Sequence, residues 1–277
     1  MFAAWDAEEY GLLGSTEFVE DFTELLTRRA VAYLNMDCLQ GNQTIRRVMM
    51  LLRFVESMPS LQDQAIQAAK RIKNPRQDDK DVNGTTVFDA WLHYMKDSRN
   101  PGLPRIPTPS GGSDQKSFME YLGVPSMSFS WMDMDKHQTY PLYHTLYETP
   151  FLSEHLMDVN NFAQFEVATR KEEAIHRPRS MNPLVRSRYN DKLINVERCF
   201  VNPRGTPDDA AARHVLFSIS KTDSYAGRVM QQVYKVLDDM AVAKESQLPD
   251  LGNELANQIS IVHSSILCAL GVLSDFI

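Results

Sequence analysis

Phe2-Ala3-Ala4-Trp5-Asp6-Ala7-Glu8-Glu9-Tyr10-Gly11-Leu12-Leu13-Gly14-Ser15 opens the chain, and the fold is decided by how this run joins the segment up to Asp37. Phe2 to Trp5 is a short apolar run that reads as a strand, and Asp6 to Gly14 as a turn and loop. Ser15 reads as an N-cap, with Glu17, Glu20 and Asp21 in the early turns of a helix that runs to about Arg29. Ala30 to Met36 is a second apolar, strand-like run. Strand, helix, strand is the grammar of a parallel α/β sheet.

Further along, Val48 to Ile72 reads as helix interrupted near Pro59, Asn74 to Asp81 as loop, and Val87 to Met95 as helix. Pro101, Pro104, Pro107 and Pro109, followed by Gly111 and Gly112, make a loop. Ser117 to Leu122 predicts a short helix, Val124 to Trp131 a strand, Asp133 to Thr149 an irregular stretch and Phe151 to Thr169 a helix. Residues 170–182 form the linker between residues 1–169 and residues 183–277. Apolar residues then recur at helical spacing in Leu184 to Cys199, Tyr225 to Val242 and Leu251 to Ile277.

The 277 residues carry a net charge of −7, which argues against a general nucleic-acid binder. Cys38, Cys199 and Cys268 are too few and too scattered for a disulfide framework. Ile259 to Leu273 is the most apolar late segment; it reads as too short for a membrane span and as a buried helix. No basic, apolar leader follows Met1. Two Asn-x-Thr triplets, Asn42-Gln43-Thr44 and Asn83-Gly84-Thr85, are glycosylation acceptors only if the chain enters the secretory pathway.

Asp6-Ala7-Glu8-Glu9 follows an apolar strand directly, at the strand end where α/β sheets place their sites. Packed carboxylates raise one another's pKa unless a cation offsets them, and a bound metal is the economical answer. Asp37 follows the second strand at the same sheet edge. Tyr140-Pro141-Leu142-Tyr143-His144 supplies a zinc-type ligand, His144, beside a hydroxyl, Tyr143, suited to a developing oxyanion. Each has a plainer reading: a charged helix entrance, a turn aspartate, a structural histidine. On successive strand ends of one sheet, the shared site is the better account. Paired carboxylates of glycosidase type leave His144 without a role.

Trp5 to Ser15, Asn35-Met36-Asp37, Ser110 to Asp114 and Tyr140 to Thr149 together resemble the cocatalytic dizinc aminopeptidase-type metallopeptidases. The closer likeness is to the glutamate carboxypeptidase II branch, which includes transferrin receptor; Asn182 to Gly205, Arg213-His214-Val215 and Tyr225-Ala226-Gly227 extend it. The resemblance implies an α/β fold: a partial aminopeptidase-type mixed sheet flanked by helices, followed by a shortened α-helical dimerisation domain. It implies a zinc-dependent exopeptidase with Glu8 as general base, Glu9, Asp37 and His144 as zinc ligands, and Tyr143 stabilising the tetrahedral intermediate. Gly111, Gly112, Ser113 and Tyr225 would line the substrate cleft, and Glu17 and Glu20 match two acidic ligands of a structural calcium. It further implies a small peptide substrate, a homodimer, and a place on the extracellular face of the plasma membrane or in the secretory pathway, with no nucleic-acid or membrane contact within this chain. A histidine and a metal-bridging aspartate of the family site precede the WDAEE strand, and only five residues precede Asp6 here. The expectation is that this chain alone binds zinc weakly and is inactive. The competing reading is a non-catalytic scaffold or receptor-type homologue that keeps the fold.

Overall fold

The computed structural model describes residues 1–37, 39, 50–74, 82–133, 142–157, 182–206, 209–219 and 227–274. Its helices are α1 (Leu13–Asp21), α2 (Thr23–Arg29), α3 (Pro59–Ala69), α4 (Val87–Tyr94), α5 (Pro183–Arg198), α6 (Gln231–Val242) and α7 (Leu248–Leu273). Its strands are β1 (Tyr33–Met36), β2 (Met50–Ser57), β3 (Ser126–Asp133), β4 (Phe217–Ile219) and β5 (Gly227–Val229). Short 3₁₀ and π turns cover Glu8–Tyr10, Ser117–Tyr121 and Ser153–Met157. The result is a mixed α/β architecture with a helical C-terminal part, as the sequence implies. The chain divides into two compact units. One comprises Met1–Tyr33, Thr108–Ser126 and Ser180–Ile277; the other comprises Leu34–Pro107 and Met127–Arg179.

The second unit holds the sheet, ordered β1-β3-β2, with β2 antiparallel to β3 (Val55 opposite Phe129, Ser57 opposite Met127). Alternation along β3 sends Met127 and Phe129 into a core with Val55, while Ser128 faces the other side and accepts a long hydrogen bond from Asn35 Nδ2 (3.4 Å). Helices α3 and α4 cover the apolar face with Ala65, Ile66, Ala69, Val87 and Trp91, joined by Ile72 just past the end of α3. The helix expected from Val48 is corrected here: residues 50–57 form a strand, and the helix starts at Pro59. Ladder pairing with β3 overrides the helical reading, and proline sits at the first helical turn, where it lacks no needed N–H. The antiparallel β2–β3 pair agrees with the mixed sheet that the resemblance implies.

In the first unit, α1 and α2 pack Val19 and Leu26 against Phe118, Leu122 and Val124. Trp5 closes this core: its ring lies 5.0 Å from Phe18 and 5.8 Å from Phe118, and its indole N–H donates to Tyr33 Oη at 2.8 Å. No strand forms over Phe2 to Trp5, and Phe2 is 83% exposed. A strand needs a ladder partner, and among the described residues this run has none. Ser15 is not an N-cap. It lies inside α1, fully buried, with Oγ donating to Leu12 C=O at 3.2 Å, while Leu12 occupies the cap position.

The helical region belongs to the same unit. Arg198, at the end of α5, donates through Nη2 to the C=O groups at the end of α2, Leu26 (3.2 Å), which also accepts from Ala30 N–H, and Ala30 (3.0 Å). Gly123 has φ +63°, and an added Cβ would stand 2.5 Å from Val201. The Arg213 guanidinium lies 3.6 Å above the Tyr121 ring. Asn182 caps α5, its side-chain oxygen accepting from Leu184 N–H at 2.9 Å.

Two further expectations are corrected in this unit. Cys199 and Cys268 form a disulfide, tying the end of α5 to α7. The late apolar helix is longer than Ile259 to Leu273 and not buried: α7 spans 26 residues, with Ile259 52% and Leu270 59% exposed. The helical stretch Glu245–Leu273 is long and apolar enough to cross a membrane, by length and composition only. Cys38, residues 75–81, the second half of the helix expected over Phe151 to Thr169, and the linker residues 170–181 lie outside the described residues.

Candidate active site

Glu8 and Glu9 sit in a tight turn held by backbone hydrogen bonds. Ala7 (φ 55°), Gly11 (φ 106°) and Leu12 (φ 61°) all take left-handed conformations. Glu8 C=O accepts from both Gly11 N–H (3.0 Å) and Leu12 N–H (2.8 Å), and Asp6 C=O accepts from Gly14 N–H (3.1 Å). Gly14 permits that approach: a Cβ there would lie 2.5 Å from the Asp6 carbonyl oxygen. Glu8 is half-buried and Glu9 exposed.

Asp37 follows β1 in the second unit and is half-buried. Tyr143 and His144 belong to that unit too. Their rings stack at 3.8 Å, His144 is exposed with φ 59°, and its backbone N–H donates to Glu148 Oε2 at 2.9 Å. Non-glycine left-handed residues number four among the described residues: Ala7, Leu12, His144 and Met230. Three of them fall in the two motif stretches singled out above. Such conformations cost of order 1–3 kcal/mol each and concentrate at functional sites.

Gly111, Gly112 and Ser113 lie in the first unit; Gly111 and Ser113 are buried. Ser113 C=O accepts from Lys116 N–H (3.1 Å), and Gln115 Nε2 donates to Ser110 C=O (2.9 Å), so the loop folds directly onto the π turn Ser117–Tyr121. Inserted π turns are frequent at functional sites. Glu17 and Glu20 project from α1 into solvent. Tyr225, Tyr140 and Pro141 lie outside the described residues.

The carboxylate and imidazole donors suit zinc by chemistry. Among the described residues, however, no group of three His, Cys, Asp or Glu side chains is placed to hold a metal ion, zinc or calcium.

Glu120 and His214 are buried titratable side chains whose packing roles the sequence motifs do not show. Glu120, in the π turn, accepts from Ile219 N–H of β4 at 2.7 Å. Burial pushes its carboxyl up to about 7, against the opposing pull of Lys116. His214 is fully buried; its Nδ1 accepts from Phe217 N–H (3.1 Å), so Nε2 carries the proton and faces Glu197 Oε2 at 3.8 Å. The available signal was an acid enclosed by Phe118, Met119 and Leu122 at helical spacing.

Comparison with known proteins places the molecule. The profile of Peptidase family M28 matches residues 1–158, more than half of the sequence, and that of the transferrin receptor-like dimerisation domain matches residues 156–274. The chain belongs to peptidase family M28, in the branch whose catalytic part is followed by a transferrin receptor-like domain. It is 32% identical to the glutamate carboxypeptidase 2 homologues of Caenorhabditis briggsae and Caenorhabditis elegans, over all of this chain and 44% of theirs. It is 26% identical to aminopeptidase NAALADL1 of Mus musculus, over 96% of this chain and 43% of that one. The chain thus spans less than half the length of these curated relatives. The alignment to the first covers 358 residues, more than the chain itself has, so that relative carries residues inside the matched span that this chain lacks.

Proposed function

We propose a zinc-dependent exopeptidase of the glutamate carboxypeptidase type, acting on small peptides. The match to peptidase family M28 over residues 1–158, which include Glu8, Glu9, Asp37, Tyr143 and His144, carries this reading. Glu8 takes a proton from the attacking water and returns it to the leaving amine nitrogen. The Tyr143 hydroxyl donates to the oxyanion of the tetrahedral intermediate. Gly111, Gly112 and Ser113, with Tyr225, line the substrate. Zinc belongs to the reading as cofactor, with Glu9, Asp37 and His144 as its donors in this chain, and calcium with Glu17 and Glu20. The test is peptide hydrolysis by the intact protein: Glu8→Gln should lower kcat by about 10²–10⁴-fold with KM little changed. Equal turnover by wild type and variant, or none by either, overturns the assignment.

The same reading makes the protein a homodimer through residues 156–274. Ile259, Ile266, Leu270 and Leu273 recur at helical spacing as an exposed apolar stripe on α7, a face suited to a second copy. A sedimentation mass of a single chain would sink it. The reading includes a lumenal or extracellular location, which the Cys199–Cys268 disulfide supports because disulfides persist in oxidising compartments; free thiols at both positions in protein isolated from its own cells would overturn that.

A non-catalytic scaffold is the second reading, because a receptor-type homologue would keep the transferrin receptor-like domain that residues 156–274 match. Zinc analysis of the purified intact protein decides: stoichiometric, tightly held zinc removes the scaffold reading.

A further inference from the structure

The triplet Asn83-Gly84-Thr85 lies wholly at the surface of the second unit. It forms a bend between buried Val82 and the start of α4, which begins with the buried Val87. The bend is held from both sides. Thr85 C=O accepts from Asn74 N–H (2.9 Å), and Thr85 N–H donates to the Asp89 carboxylate (3.0 Å). Thr86 and Asp89 complete a capping box, Asp89 N–H donating to Thr86 Oγ1 at 3.2 Å and Thr86 N–H to Asp89 Oδ2 at 2.8 Å. Gly84 has φ +145°, and a Cβ there would run into the Asp89 carboxyl group, so the cap itself accounts for the glycine. None of these bonds engages the Asn83 side chain.

We propose that Asn83 is an acceptor for an N-linked oligosaccharide. The triplet meets the chemical requirement: an amide, a hydroxyl residue two positions on, and no proline between. The exposed bend meets the steric one, because a bulky polar graft at Asn83 displaces nothing from the core formed by Val87, Trp91 and Ile72. The proposal rests on the lumenal location argued above and is independent of the peptidase reading. In the transfer, Asn83 Nδ2 bonds to the anomeric carbon of a lipid-linked diphospho-oligosaccharide. The bond from that carbon to the phosphate oxygen breaks, the lipid diphosphate leaves with the electron pair, and the amide gives up one proton.

The test uses the full chain, secreted from eukaryotic cells behind a cleavable leader, with Asn42→Gln removing the other triplet. An amidase that strips N-linked glycans should increase its gel mobility and leave aspartate at position 83. Asn83→Gln and Thr85→Ala should each abolish that shift, and Thr85→Ser should keep it. Should a substituted chain fail to leave the cell, mass spectrometry of the peptide Asp81–Lys96 from chain with its own Asn83 reads the same site directly. An unmodified Asn83 in secreted protein, or a mobility shift that survives Asn83→Gln, overturns the proposal. Because the leader supplies entry, either result counts against Asn83 and leaves the thiol test of location standing.

Discussion

Glu120 is the side chain with the most to lose from water. Its carboxyl is buried in the π turn and holds β4 through Ile219 N–H. The folded form keeps its proton up to about pH 7, whereas the ordinary value is 4.5. Between those values the native state binds a proton that the unfolded state has released, so stability falls as pH rises from 4.5 to 7 and stays lowered above that. Glu120→Gln keeps an acceptor for Ile219 and removes the titration. Its stability advantage over wild type should grow by about 3 kcal/mol from pH 4.5 to pH 8. Urea unfolding at the two pH values measures this, and an unchanged difference between variant and wild type would show that Glu120 does not titrate in this range. This role is hard to read from the letters, because the acid sits in a run of apolar residues whose helical spacing says core and its partner Ile219 lies far along the chain. The WDAEE turn was easier to read. Its glycines and paired acids announce a tight, charged turn, although nothing in the letters shows that Ala7 and Leu12 adopt left-handed backbone.

Among the elements, α4 is set by its own first four residues. Thr86 and Asp89 cap each other's backbone, and donation from the Thr86 hydroxyl holds the Asp89 carboxyl below its ordinary value. A lowered carboxyl contributes stability above its unfolded value of 3.8 and loses that contribution as pH falls through its lower folded value. Asp89→Ala should destabilise the protein by about 1–2 kcal/mol at neutral pH. Thermal unfolding measures it, and an unchanged Tm would mean the box contributes nothing. This helix, β1, β3 and α5 were readable from periodicity and cap residues. β2 was not, since Met50 to Ser57 has apolar residues that serve either period and only pairing with β3 decides between them. Ser15 misled for a related reason. It has the chemistry of a cap, but burial against the first core places it within α1.

At the scale of the molecule, composition and charge do no more than argue against a general nucleic-acid binder, whereas the quoted motifs resemble the family that the match over residues 1–158 shows. The disulfide escaped because scattered cysteines carry no pairing information until α5 and α7 are packed together. It closes a long loop, with 69 residues of separation, and so restrains the unfolded chain strongly. Reduction, or Cys199→Ser with Cys268→Ser, should lower stability by about 2–4 kcal/mol. Equal denaturation midpoints for the oxidised and reduced protein would contradict this.

Arg198 clasps the carbonyls of Leu26 and Ala30 across 172 and 168 positions of sequence. A ribosome therefore releases α1 and α2 well before the residue that clasps them has been synthesised, and this contact forms late relative to the helices it holds.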